Sequence, residues 1–503
     1  MFFSSFWSDG LTISHYSCFL NPRYLKIALN SLIIAFGTTF FSLLIGTPQA
    51  FLLQRTKVSW RNFFKVAYLI PLLIPPYIHA IVWTYLLSKK GIINQYLIKF
   101  FHLKQPLFSI YGIPGVIFVL TLAYSPLATA LVISGLKSID YSLEEVALLY
   151  HTPFQIFKKI TLPLLTPHIF SGAIFVFVFS IINFGVPDFL RVSVYPTEIF
   201  VQFSAYYNEK TATALSVPLV IFTIFLIILI KRFMQNRPYI TITSDFKYAL
   251  CYKLDRKLNT LAFLFLFLLF FLSTIIPIAV LIKKSGSWSN YCRVLLNSSY
   301  QISYSLILSF LGTIIMVILS FFISCFIERI KSLSNVLEYA SLIPFAIPAT
   351  VLGIGLIKVW NHSITQFVYN SSIIILIAYI AHFIPFTTRI IISELKRISL
   401  EMEEAAFLIS SNWFYVIRKI IVPLSYPGLL ISFFIGFILC FGDLVTSLLI
   451  IPPGRETVPI KAYNLMHYGA EHLVSALCLI LILIILIIGS FFYICYQKIV
   501  KYD

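Results

Sequence analysis

Runs of about 20 apolar residues recur along the whole chain, and that recurrence leaves almost no choice of fold. A run of that length crosses roughly 30 Å of hydrocarbon only as a helix, because unpaired backbone amides find no water there. Five such runs come first, at about 26–53, 66–87, 115–136, 167–186 and 212–230. Six more follow at about 258–282, 302–327, 336–358, 371–393, 426–451 and 473–496. The chain therefore reads as an all-α polytopic membrane protein with about eleven transmembrane helices. With 59% hydrophobic and 11% charged residues, a soluble multidomain protein is excluded.

The formal charge of +18 would point to nucleic acid in a soluble protein. Here Lys and Arg sit in short segments between apolar runs, where anionic headgroups and the positive-inside bias account for them. Membrane lipid is the expected contact, and nucleic acid is not. Seven cysteines (Cys18, Cys251, Cys292, Cys325, Cys440, Cys478 and Cys495) show no C-x-x-C spacing, and several lie inside apolar runs. They read as packing residues.

Residues 1–23 hold no spanning run and form a lead-in. Residues 233–257 are a basic linker in which Arg237, Lys247, Lys253, Arg256 and Lys257 face only Asp245 and Asp255. The predicted division is a first half at 24–232 with about five spans and a second at 258–503 with about six. The second span carries Pro71, Pro75 and Pro76, which remove backbone donors and break or kink it.

The halves repeat each other. EEVALLYHTPFQIFKKITLP, from Glu144 to Pro163, aligns without a gap on EAAFLISSNWFYVIRKIIVP, from Glu404 to Pro423. The run from Leu69 to Pro75 recurs from Leu342 to Pro348, Pro126 falls on Pro385, Phe184-Gly185 on Phe441-Gly442, and Glu198 on Glu456. Six spans separate equivalent points, so the copies have the same orientation: a parallel repeat, with both charged segments on one side of the membrane. Lys and Arg are more numerous on that side, a bias that favours its being the cytoplasmic one, as does the resemblance described next. Each segment reads as a short amphipathic loop helix with Glu at its start and Lys158-Lys159 or Arg418-Lys419 at its far end, as the helix dipole favours.

These twin segments resemble the EAA loop of the membrane subunits of ATP-binding-cassette importers, E-A-A-x3-G-x9-I-x-L-P. The second copy keeps Glu404, Ala405, Ala406, Ile420 and Pro423; the first keeps Glu144, Ile160, Leu162 and Pro163, with Glu145 and Val146 for the two alanines and Ala147 following. Both depart at the glycine, which is Tyr150 in one copy and Ser410 in the other. The resemblance implies two parallel repeats of the type I importer permease fold (MetI-like). It implies two copies of a cytoplasmic ABC ATPase docked on these loops and an extracytoplasmic substrate-binding protein on the opposite face. The fused two-half layout further resembles the iron(III)-type branch with its thiamine and phosphonate relatives, through FGVPDFLRVSVYPTEIFVQFSAYY at 184–207 and PPGRETVPIKAYNLMHYGA at 452–470. Ferric iron is then the expected cargo, with thiamine, phosphonate or polyamine as alternatives. Relatives carry an extra helix before the first half; its absence here implies a shortened start or an external N-terminus.

No G-x-x-x-x-G-K-[ST], H-E-x-x-H or G-x-S-x-G occurs, so no enzyme is expected, no cofactor bound by this chain, and ATP hydrolysis falls to a partner. Asp188, Glu198, Asp443, Arg455 and Glu456 are candidates for the pathway or for the face that meets the binding protein; capping of span ends is the plainer reading of Asp188 and Asp443. His79, His382 and Arg389 read as interior groups hydrogen-bonded to neighbouring helices rather than as metal ligands. The rival from another class is an ion-gradient-driven secondary transporter, which needs intramembrane acids and leaves the twin loops unexplained.

Overall fold

The computed structural model describes residues 21–235, 252–396, 398, 400–409 and 412–500. The lead-in up to residue 20, most of the expected linker, Cys18, Cys251 and Ser410 lie outside them. Among the described residues nine helices are long and apolar enough to cross a membrane, or eleven if each of two sharply bent helix pairs is one span. All eleven expected runs fall on these elements.

The chain divides into two compact units between Lys283 and Lys284. The sequence predicts the boundary before residue 258, but the helix Arg256–Ser285 belongs almost wholly to the first unit. Its Ala262 and Leu266 are buried in one apolar cluster with Leu53, Val58 and Phe64. A basic, hydrophilic stretch marks where the chain leaves a bilayer; which unit the next helix joins depends on the faces that match, and composition does not carry that.

In the first unit the long helix Pro22–Arg55 starts at Asn21, whose side chain accepts from the Arg23 amide at 3.0 Å. The side it buries is rich in small residues: Ser31, Ala35, Thr38, Ser42, Gly46 and Ala50. That lets Ile113–Ser138 approach closely; a methyl group at Gly46 would stand 3.0 Å from the Ala128 Cβ. Pro153–Ile181 closes the bundle against both. The second span is broken: the chain is extended at Ile74, Pro75 and Pro76 donate no hydrogen bond, and the flanking pieces Arg61–Leu73 and Pro76–Phe101 bend by 91°.

The second unit is built the same way from Ser299–Arg329, Ile373–Leu395 and Trp413–Phe441. The first two of these are joined by hydroxyls: those of Ser320 and Thr387 lie 2.6 Å apart, Thr388 Oγ1 donates to Ser320 Oγ at 3.1 Å, and Ser324 donates to the Thr388 carbonyl at 3.2 Å. Where lipid supplies no hydrophobic drive between helices, such contacts and close packing hold them.

One hydrogen bond sets the register of the repeat. Ser31 Oγ accepts from the Tyr195 amide at 2.9 Å, and Ser305 Oγ accepts from the Val458 amide at 2.8 Å. Tyr195 therefore corresponds to Val458, which sets Glu198 opposite Lys461 and not opposite Glu456. Likewise Pro153–Ile181 and Trp413–Phe441 end in the same turn, so Asn183 corresponds to Asp443 and Phe184 to Leu444, not to Phe441. What repeats there is the polar cap: Asn183 Oδ1 accepts from the Val186 amide at 3.0 Å and Asp443 Oδ2 from the Ser447 amide at 3.0 Å. The Phe-Gly letters match at the wrong offset.

Candidate coupling site

Each twin segment is two helices, not one. In the first unit Asp140 caps Tyr141–Leu148, accepting from the Ser142 amide at 3.0 Å. The chain turns at Leu149 and Tyr150. A second helix starts at Thr152-Pro153 with a reciprocal Thr152–Gln155 capping box. This second helix does not stop at the membrane: it passes through a π-turn at Phe157–Thr161 and continues as the span to Ile181. The second unit has Leu400–Ile409, then Trp413–Phe441 with a π-turn at Ile417–Ile421. The predicted free-standing loop helix is in its later part the start of a helix long and apolar enough to cross a membrane.

Beneath the first loop lies an ion pair with no exposed surface. Arg55, the last residue of the first long helix, points inward; its Nε lies 2.9 Å from Glu144 Oε2, and both side chains are 0% exposed. Arg55 Nη2 donates to the Leu136 carbonyl at 2.8 Å, Thr161 Oγ1 donates to Glu144 Oε1 at 2.8 Å, and the guanidinium stands over the Tyr141 ring at 4.3 Å. Burial of two charges is tolerated only with such extra partners. The cluster thus ties the ends of the first and third spans, the first loop helix and the π-turn into one knot.

The second unit repeats it with a change of register. Arg329, the last residue of Ser299–Arg329, pairs with Glu403, its Nε donating to Glu403 Oε2 at 2.8 Å. Glu144 and Glu403 are each the fourth residue of their helices. The sequence aligns Glu144 with Glu404, but Glu404 is exposed; the copies carry an offset of 259 in the first helix and 260 from Pro153/Trp413 onward, so the second copy has one extra residue between Glu403 and the start of its second helix. Ile421 stands where the first unit has Thr161, so the second pair lacks the hydroxyl partner. The twin segments mark neither arginine; the signal is that both long first helices end on Arg, at LLQR55 and FIER329.

The remaining loop residues divide by burial. Ala147 is buried under the first helix; Ile160 and Leu162 are half-buried and Pro163 and Pro423 exposed, with Ile420 half-buried. Glu145, Tyr150, Glu404 and Ala405 are on the surface. Around them sits an apolar surface that polar solvent would not select: Val146, Leu149, Tyr150 and Phe154 in the first unit, Met402, Leu408 and Phe414 in the second, with Tyr150 81% and Leu408 90% exposed. Ala406 lies on the helix Leu400–Ile409.

The far loops hold their predicted residues in internal contacts. Glu198 is buried and takes both carboxylate oxygens to Arg23 Nη2 at 3.1 Å, with Gln202 Nε2 at 2.8 Å. Asp443 accepts from Thr446 Oγ1 at 3.1 Å and Ser447 Oγ at 2.7 Å, and His382 Nδ1 lies 3.1 Å from that threonine hydroxyl. Arg455 Nη1 donates to Ser372 Oγ at 2.7 Å; Glu456 accepts from Asn464 at 2.9 Å and pairs with Lys461 at 3.3 Å. Asp188 is half-buried in the short helix Gly185–Phe189. His79 is fully buried; Arg389, expected in the interior, is instead exposed at 42% of its side chain and pairs with Glu338 at 3.0 Å. Glu198, Asp443 and Glu456 are thus held in capping or bracing contacts. Cys325, Cys440 and Cys478 are buried among apolar neighbours.

Comparison with known proteins completes the picture. The model of the family described as "Binding-protein-dependent transport system inner membrane component" matches residues 28–236 and 328–501, once in each half. The Fe(3+)-transport system permease protein FbpB 2 of Haemophilus influenzae is 25% identical over 477 residues, covering 90% of this chain and 87% of that protein. The ferric transport system permease protein FbpB of Actinobacillus pleuropneumoniae is 23% identical over 525 residues, 97% of this chain and 74% of that protein. The spermidine/putrescine transport system permease protein PotB of Haemophilus influenzae is 28% identical over 233 residues, 46% of this chain and 82% of that protein.

Proposed function

This chain belongs to the family of binding-protein-dependent transport system inner membrane components, and on that premise we propose how it works and what it carries. It is a multi-pass inner-membrane transport permease. On its cytoplasmic side two copies of a separate ABC ATPase dock on the loops around Glu144–Pro163 and Glu403–Pro423; on the other side a substrate-binding protein delivers the cargo. The chain binds no nucleotide and performs no chemistry of its own. Closure of the ATPases moves the loops, and the continuous helices Pro153–Ile181 and Trp413–Phe441 carry that displacement to the depth of the bilayer.

The observation that carries this reading is the pairing, in both units, of an exposed apolar loop with an arginine–glutamate pair beneath it. The apolar surface supplies docking area, and the ion pair keeps the docked helix from moving independently of the span. We further propose ferric iron as the cargo, from the two relatives with long coverage, with polyamine as the second reading from the shorter one. The test is uptake by cells expressing this permease with its neighbouring ATPase and binding protein. Saturable ferric iron uptake is expected, unaffected by excess spermidine. Spermidine uptake without iron uptake would replace the first reading by the second.

A further inference from the structure

The two coupling sites differ at one point. The second long helix passes from Arg329 almost directly into Lys331–Ala346, whereas after Arg55 the chain runs extended through Thr56 and leaves the Arg55 carbonyl open. A strand-like segment from beyond the first five spans fills that place. The Tyr252 amide donates to the Arg55 carbonyl at 2.8 Å, and the Tyr252 carbonyl accepts from the Lys57 amide at 3.1 Å, a parallel bridge across Thr56.

The side chains continue the contact. The Tyr252 ring stacks on Phe51 with centroids 6.2 Å apart, and Phe51 meets Phe157 of the π-turn edge to face at 4.8 Å. Leu254 packs on the cluster of Leu53, Val58 and Phe64, and Asn259 accepts from the Ser59 amide at 3.0 Å and donates to Ser59 Oγ at 2.8 Å. Burial and the neighbouring Glu144 carboxylate push the pKa of the Tyr252 hydroxyl up to about 12. It stays uncharged beside the ion pair.

We propose that Tyr252 to Asn259 is a brace built only into the first coupling site, with Tyr252 as the positioning residue that keeps Arg55 and the π-turn aligned under the docked loop. The second site needs no brace because its arginine lies at a near-continuous helical junction, beside Cys325 of an apolar cluster that also holds Ile417 and Ile421. The coupling sites are therefore mechanically unequal, and the described stretch before the helix Arg256–Ser285 contributes to the stroke of the first site.

The proposal rests on the coupling reading above, and the experiment separates the two. The full chain would be reconstituted in proteoliposomes with its ATPase and binding protein, and transport per ATP hydrolysed measured for Tyr252→Ala, Tyr252→Phe and Phe51→Ala. The ratio is expected to fall two- to tenfold in both alanine variants, the scale of losing one aromatic pair, to fall no further in the double variant, and to be restored by phenylalanine. A role confined to stability would lower the yield of folded complex and leave the ratio unchanged, which would overturn the brace. Glu144→Ala serves as the reference: if it too leaves the ratio unchanged, the coupling reading itself fails; if it lowers the ratio while Tyr252→Ala does not, only the brace fails.

Discussion

Arg55 and Glu144 have no exposed surface, so neither is a point of contact with a partner; together they set the position of whatever makes that contact. Removing one member strands a charge inside the protein, which costs about 3–5 kcal/mol, several times the value of a surface pair. Glu144→Ala and Glu403→Ala should therefore each lower the thermal unfolding temperature of the detergent-purified protein and abolish uptake, whereas Glu404→Ala should leave the unfolding temperature unchanged. The reverse order for the two neighbouring glutamates would overturn the Glu144–Glu403 register. The letters E-A-A attract attention to Glu404, and nothing local distinguishes it from Glu403. The distinction comes from Arg329, 74 residues earlier, which selects the glutamate it can reach. Single-residue offsets are invisible to a gapless alignment, and for the same reason letter matching pairs Glu198 and Phe184 with the wrong residues of the second half.

At the scale of elements, what decides coupling is that the later loop helix and the span are one rod. The π-turns at Phe157–Thr161 and Ile417–Ile421 each add a residue to the regular repeat and so set the direction in which the loop end points. Deleting Lys159 should restore ordinary α-helix and rotate Pro153–Ile156 by about 100° about the axis, turning exposed Phe154 away from its docking side. The expected result is a permease that inserts and folds but no longer co-purifies with its ATPase; retained co-purification would show that the orientation of this helix does not matter. The spans themselves are legible in the sequence, because apolar length and the proline breaks dictate helix and bend without reference to partners. The π-turns and the attachment of Arg256–Ser285 to the first unit are not, since both arise from which faces fit.

For the whole molecule, the family model matches once in each half of a single chain, and on the proposed reading that gives an external motor two similar but unequal points. The acids that the sequence marks as pathway candidates, Asp188, Glu198, Asp443 and Glu456, lie in the segments between spans, and the structure engages the last three in capping or bracing contacts. The most direct measurement is ferric iron uptake into proteoliposomes holding this chain, its ATPase and its binding protein, with the energy source varied. Uptake that requires ATP on the ATPase side and the loaded binding protein on the other, and that ignores an imposed ion gradient, is the predicted result; uptake driven by a proton or sodium gradient in the absence of the ATPase would contradict it.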